Sequence, residues 1–247
     1  MTVILRLTNS DDFNERVPEG ERAQAVAERV FAAETGVAAT TVSKVMWPTP
    51  AFPTHLDRWL DESKPDLVML RIAAYWVTFR SVPLRLKRRT GRVGKALSDI
   101  GTASARVRWL AETPPYHGIR RALLRTIGGD ANFTVDEVVS VVEASARRVL
   151  AREGTVLVVR GPQNALSADM SPRALAWAEA RRLQLHRRTR QLCERLHVEY
   201  IGRDEPYSKG DDPAVFFGDL VHATVMTHRS RGEEEGLAMA AAWKRER

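Results

Sequence analysis

The chain has 247 residues, of which 44% are hydrophobic and 28% charged. That size and balance suit one large α/β domain over residues 1–247 better than two small ones. Its 38 Lys plus Arg outnumber 31 Asp plus Glu, a formal charge of +7 that speaks to solubility and steering but not to fold. No stretch reaches the ~18 apolar residues that would span a bilayer, and the lone Cys193 rules out an internal disulfide. Met1 to Thr8 also lacks the basic start and long apolar run of a signal peptide, so a cytoplasmic location is the expectation.

Val3-Ile-Leu-Arg-Leu7 predicts a short buried strand, ended by the turn-forming Thr8-Asn9-Ser10-Asp11-Asp12. A helical pattern runs from about Glu19 to Ala33, with Ala23, Ala27, Val30 and Phe31 on one face and Gly36 past its end. Thr41 to Met46 predicts a second strand, and His55 to Asp61 a short helix closed by Lys64-Pro65. Asp66-Leu-Val-Met-Leu-Arg-Ile72 predicts the third strand. Its nearly continuous apolar character belongs to a strand covered on both faces. Residues 83–128 are basic and broken by Pro114-Pro115 and Gly128-Gly129, which predicts an insertion of helices and loops over the top of the sheet.

Thr134-Val-Asp-Glu137 is a capping box, and its helix runs to about Arg152. Thr155-Val-Leu-Val-Val-Arg160 predicts the fourth strand. Ser171-Pro172 starts a helix that continues to about Leu196 and carries Cys193, read as an inert core thiol. Val198 to Ile201 predicts a fifth strand, followed by a polar loop and a last helix from about Gly232 to Trp243. Strands alternating with helices in this way imply a three-layer, doubly wound α/β sheet of about five parallel strands. Its functional cleft belongs at the carboxyl ends of the strands.

Two short segments carry the chemistry. Ser10 directly follows the first strand, which places its amide and hydroxyl at that edge of the sheet. Alone, it is equally a turn or cap serine. Gly218-Asp-Leu-Val-His222 precedes the last helix on a loop returning to the same edge. A carboxylate three residues before a histidine can turn back and hold one imidazole nitrogen, leaving the other to take a proton from a hydroxyl. A solvated loop with an unrelated Asp and His is the competing reading.

Thr8-Asn9-Ser10, Asp219-Leu-Val-His222 and Lys64-Pro-Asp-Leu-Val-Met-Leu70, in this order of elements, resemble the SGNH (GDSL-like) hydrolases. The resemblance implies a flavodoxin-like sheet and a metal- and cofactor-independent serine esterase or acyl transferase. Ser10 would be the nucleophile, His222 the base and Asp219 its orienting partner. It also marks departures. Where the family has an oxyanion-hole glycine after the second strand stands Trp47-Pro48-Thr49, and in place of its Gly-x-Asn-Asp stands Ala73-Ala74-Tyr75-Trp76. Oxyanion candidates are therefore the amides of Ser10, of the loop at Trp47 and of Ala73, with the hydroxyl of Tyr75; ordinary packing is the other reading of Tyr75 and Trp76.

The insertion begins with Arg85, Lys87, Arg88, Arg89, Arg92 and Lys95, a run without an acid. A solvated face is one reading; recognition of phosphate or carboxylate on a small-molecule ester substrate, or of an acidic carrier protein, is the other. The run has no interleaved aromatics for stacking on bases, which argues against nucleic acid. His186, His197 and His228 lack metal-ligand spacing, and His55 and His117 stand isolated. The rival to the enzyme is a catalytically weakened or inactive protein of the same fold that binds an anionic ligand or partner through this insertion.

Overall fold

The computed structural model describes residues 1–86, 114–164, 171–206 and 223–247. Its strands are β1 (Thr2–Thr8), β2 (Ala39–Val45), β3 (Leu67–Arg71), β4 (Arg80–Ser81), β5 (Asp130–Ala131), β6 (Val156–Arg160) and β7 (Glu199–Ile201). Its α-helices are α1 (Ala23–Thr35), α2 (Phe52–Ser63), α3 (Tyr75–Thr78), α4 (Pro114–Thr126), α5 (Val135–Leu150), α6 (Pro172–Arg195) and α7 (Val225–Glu246). A further helical turn covers 82–86.

Five strands form one parallel sheet in the order β2-β1-β3-β6-β7. This is the doubly wound order, in which strands are added first to one side of β1 and then to the other. Side chains alternate between its faces. Leu5, Leu7, Val68, Leu70, Leu157 and Val159 join one buried cluster with α2, α5 and α6. Ile4, Leu67, Met69, Val156 and Val158 join the other with α1 and α7. Three layers result, as the sequence predicts. Cys193 is buried in the first cluster, and burial pushes its thiol up to about 12, too high for a reactive thiolate. Among the described residues no helix is long and apolar enough to cross a membrane.

Local signals explain most boundaries. Gly36 takes a left-handed conformation (φ 72°) and closes α1. Thr134 and Glu137 form the expected capping box, and Ser171 caps α6 with Pro172 behind it. Other features differ from expectation. Pro114-Pro115 does not break a helix but begins α4, because the first helical turn needs no N–H from its own residues. Two short strands, β4 and β5, pair antiparallel at the base of the insertion, too short to leave a sequence pattern. Residues 87–113, most of the insertion, lie outside the described residues.

The last helix also begins seven residues earlier than Gly232. Thr224 caps it by accepting from the Thr227 amide. Gly232 and Gly236 lie in its interior, where each approaches the backbone of α1. A Cβ on Gly232 would stand 2.7 Å from the Ala23 carbonyl oxygen, and one on Gly236 2.8 Å from that of Ala27. Those glycines mark close helix packing, not a helix start. Gly236→Ala would ordinarily raise helix propensity by about 1 kcal/mol. Here the obstructing atom is backbone, so overpacking wins. The variant is expected to lose about 1–3 kcal/mol in urea unfolding, and a gain in stability would contradict this packing.

Candidate functional site

Three strand ends converge on one cleft. Past β1, the Asn9 side chain accepts the Asp11 amide at 2.9 Å, fixing a tight turn that leaves Ser10 exposed. Past β3, Ile72 donates its amide to the Arg160 carbonyl at 2.8 Å and the chain turns into α3. Past β6 come Gly161 to Asn164. These segments and Arg231 of α7 line a cleft of about 180 Å³. It lies at the carboxyl edge beside β1, the place where a doubly wound sheet opens to a ligand.

Beneath the cleft lies a layer of charge. Arg6, Arg71 and Arg160 share the face of Ile4, Met69 and Val158, because each lies an even number of residues along its strand from them. All three therefore meet α7, whose Arg231 and Glu235 stand one helical turn apart. Arg6 Nε donates to Asp12 Oδ2 at 2.5 Å and its Nη1 to Glu235. Arg71 Nη1 donates to Asp12 Oδ1 at 2.6 Å and to Thr8 Oγ1 at 2.8 Å, with Glu235 at 3.4 Å from its Nε. Arg160 reaches Glu234 at 2.5 Å and Glu235 at 3.5 Å. Arg231 Nη1 donates to Asp11 Oδ2 at 2.5 Å, and its Nε to Gln163 Oε1 at 2.9 Å.

Burial pulls the carboxyl pKa values in this layer upward, but the arginines outweigh it. Asp11 is held well below the usual range by Arg231, with His228 and Arg71 adding to it. Asp12 is lowered by Arg6 and Arg71, and Glu235 by Arg6, Arg71 and Arg160. The three therefore stay ionised through the neutral range.

Of the sequence-predicted site residues, the structure brings Ser10, Ala73 and Tyr75 together on the cleft. Burial raises the Tyr75 phenol to about 12, so it remains a protonated donor at neutral pH. Trp47 is not among the residues lining the cleft; its ring packs 5.9 Å from Tyr75 and 5.4 Å from Phe133. Trp76 is fully buried in the core. Asp219 and His222 lie outside the described residues, as do Lys87, Arg88, Arg89, Arg92 and Lys95. Arg85 is described: it sits 3.8 Å from Asp130 and against Gly128, and it does not line the cleft.

No protein-family model and no curated protein matches the sequence. Solved structures do match the fold. Est24, a carbohydrate acetylesterase from Sinorhizobium meliloti, aligns with a TM-score of 0.57 at 12% identity, covering 98% of this chain and 99% of that one. An inhibitor-bound aryl esterase from M. smegmatis aligns at 0.56 and 13%, covering 98% and 100%. A Parabacteroides merdae protein assigned as a GDSL-like lipase aligns at 0.53 and 13%, covering 96% and 95%. The chain has the GDSL-like hydrolase fold.

Within this fold, three arginines of the charged layer escaped the sequence reading, although they left a signal. Arg6, Arg71 and Arg160 are lone charges near the carboxyl ends of otherwise apolar strands, where an isolated ion is tolerated only with a partner. Arg231 left none, since it stands among other charges of α7. Two histidines taken as unremarkable are buried connectors. His228 Nδ1 accepts the Ala23 amide at 3.2 Å, and His186 Nδ1 lies 2.9 Å from the Tyr200 hydroxyl. Tyr200 fills the space above Gly161, where a Cβ would stand 1.8 Å from its hydroxyl oxygen. Arg182, fully buried, donates from Nη1 to the carbonyls of Pro162 and Arg203 and from Nη2 to that of Asp204. It thereby ties the loops after β6 and β7 together behind the cleft.

Proposed function

We propose that this protein is a serine hydrolase of ester bonds in which Ser10, His222 and Asp219 form the catalytic triad. The observation that carries this reading is the position of Ser10: exposed, directly after β1, on a cleft at the switch point of a GDSL-like hydrolase fold. A second contact supports the partners. The Ala223 amide donates to Asp11 Oδ1 at 2.8 Å, so the residue that follows His222 in sequence is bonded to the residue that follows Ser10.

Ser10 Oγ would attack the acyl carbon while His222 takes its proton. The tetrahedral oxyanion would collapse as the alcohol leaves with that proton, and water would release the acid by the same steps in reverse roles. Asp219 would hold the imidazole in the needed tautomer. Amides of Ser10 and Ala73 and the Tyr75 hydroxyl are the donors available to the oxyanion.

The reading is tested by treating the intact protein with a fluorophosphonate and mapping the modified residue. Adduct on Ser10, lost on prior denaturation, is the expected result. No adduct and no hydrolysis across a panel of short-chain esters would leave the non-hydrolytic binding protein of the same fold. Tyr75→Phe gives a finer check: kcat on an aryl acetate should fall by about 10²-fold if its hydroxyl serves the oxyanion, with little change in KM. An unchanged kcat would return Tyr75 to packing.

A further inference from the structure

Arg71, Arg160 and Arg231 line the same cleft as Ser10, and among the described residues the only carboxylate lining it with them is Asp11. Asp11 is already engaged on both oxygens, by the Ala223 amide and by Arg231. Asp12 and Glu235 are fully buried behind the cleft and do not line it; nor does Glu234. The layer as a whole sets four guanidinium groups against four carboxylates. Among the described residues its cleft surface is lopsided toward positive charge.

Two of these arginines also keep donors available. Arg71 engages its partners through Nη1 and Nε, and Arg231 through Nη1 and Nε. The Nη2 of each has no hydrogen-bond partner among the described residues. Asn9, Gln163 and Asn164 add neutral polar groups to the same wall. Burial, together with the neighbouring charges of Arg231 and Arg6, pulls the Arg71 pKa below its ordinary value despite Asp12 and Glu235. Cations crowded in this way into a poorly solvated wall favour an anion beside them.

We propose that this arginine wall selects esters whose acyl or alcohol part carries an oxyanion, a carboxylate or a phosphate, and that Arg71 and Arg231 bind that group while the ester carbon lies at Ser10. The available Nη2 of each can donate to one oxygen of either oxyanion, so the two arginines together match it in charge and hydrogen bonding. The placement at Ser10 rests on the ester-hydrolase reading; binding of the oxyanion does not. The residues that carry it, Arg71 and Arg231, are not those of the basic run at 85–95 from which the sequence alone suggested an anionic substrate.

The experiment uses the intact wild-type protein in two arms. In the first, kcat/KM is compared for an aryl hemisuccinate and the neutral aryl butyrate of similar size. The hemisuccinate should be preferred roughly 10- to 100-fold, the effect of one or two hydrogen bonds to a charged group. In the second, monomethyl succinate, monomethyl phosphate and neutral dimethyl succinate are titrated by calorimetry. The oxyanions should bind and the neutral diester should not, and the tighter of the two oxyanions identifies the group. Gln163→Glu sets a carboxylate against Arg231 without enlarging the side chain, and it should erase most of both effects. Arg231→Lys keeps the charge facing Asp11 but loses the Nη2 donor, and should erase part of them. Oxyanion binding without hydrolysis of any ester supports the anion site and removes the esterase reading. Hydrolysis of both esters at equal kcat/KM, with no oxyanion binding, overturns the anion site and leaves the esterase. Absence of both overturns both.

Discussion

Ser10→Ala is expected to lower kcat for a short-chain aryl ester by about 10⁴- to 10⁶-fold, with KM little changed. The size follows from the proposed role. A triad acts as one unit, so loss of the nucleophile removes the covalent route and leaves only what the cleft's donors give to direct attack by water. His222→Ala should cost about as much, and the double variant should be hardly worse than either single one. Asp219→Asn should lose roughly 10⁴-fold through the wrong imidazole tautomer. Ser10 is exposed, so its truncation leaves the buried clusters untouched and the unfolding transition should not move. Steady-state kinetics with a parallel urea titration separate the two effects. Esterase activity that survives Ser10→Ala unchanged would mean a different nucleophile and would end the triad reading.

Much of the architecture was legible because it rests on short-range rules. Strands such as 67–71 and 156–160 are apolar up to their terminal arginine and buried throughout, which only a sheet covered on both faces requires. Helix starts were readable where a side chain caps the backbone, as at Thr134 and Ser171. The start of α7 was not, because Thr224 had to compete with two glycines that look like breakers and are in fact contact points with α1, far away in sequence. Nothing local distinguishes a glycine that ends a helix from one that admits a neighbour's backbone. The β4–β5 pair was equally hidden, since two residues per strand carry no period.

The site divides along the same line. That Ser10, Ala73 and Tyr75 line the cleft was legible because position after a strand fixes which edge of the sheet a residue occupies. The charged layer was missed because its partners come from β1, β3, β6 and α7, and pairing at such separations cannot be read from one segment. The lone arginine in each apolar strand was the available sign. Reading it would have required treating Arg6, Arg71 and Arg160 as buried ions in need of partners rather than as strand residues with an exposed tip.

That layer leads to the largest expected effect on stability. Asp12→Ala is expected to cost about 3–5 kcal/mol, because it removes the carboxylate shared by Arg6 and Arg71 and leaves two buried cations facing each other across the gap. Glu235 alone then answers both, while it also shares Arg160 with Glu234. Acid should reveal the same interaction in the wild-type protein. The folded pKa values of Asp11, Asp12 and Glu235 are depressed, so their contribution is fully present above the unfolded values of roughly 4. It is lost as pH falls through the lower folded values. In that window the unfolded chain binds protons that the folded one does not, and stability must rise with pH by up to about 1.4 kcal/mol per unit for each such group. Urea unfolding between about pH 2 and pH 7 should show this slope, and Asp12→Ala should show it reduced by one group's share. If the variant loses less than about 0.5 kcal/mol at neutral pH and keeps the wild-type slope in acid, Asp12 does not hold the arginines beneath the cleft.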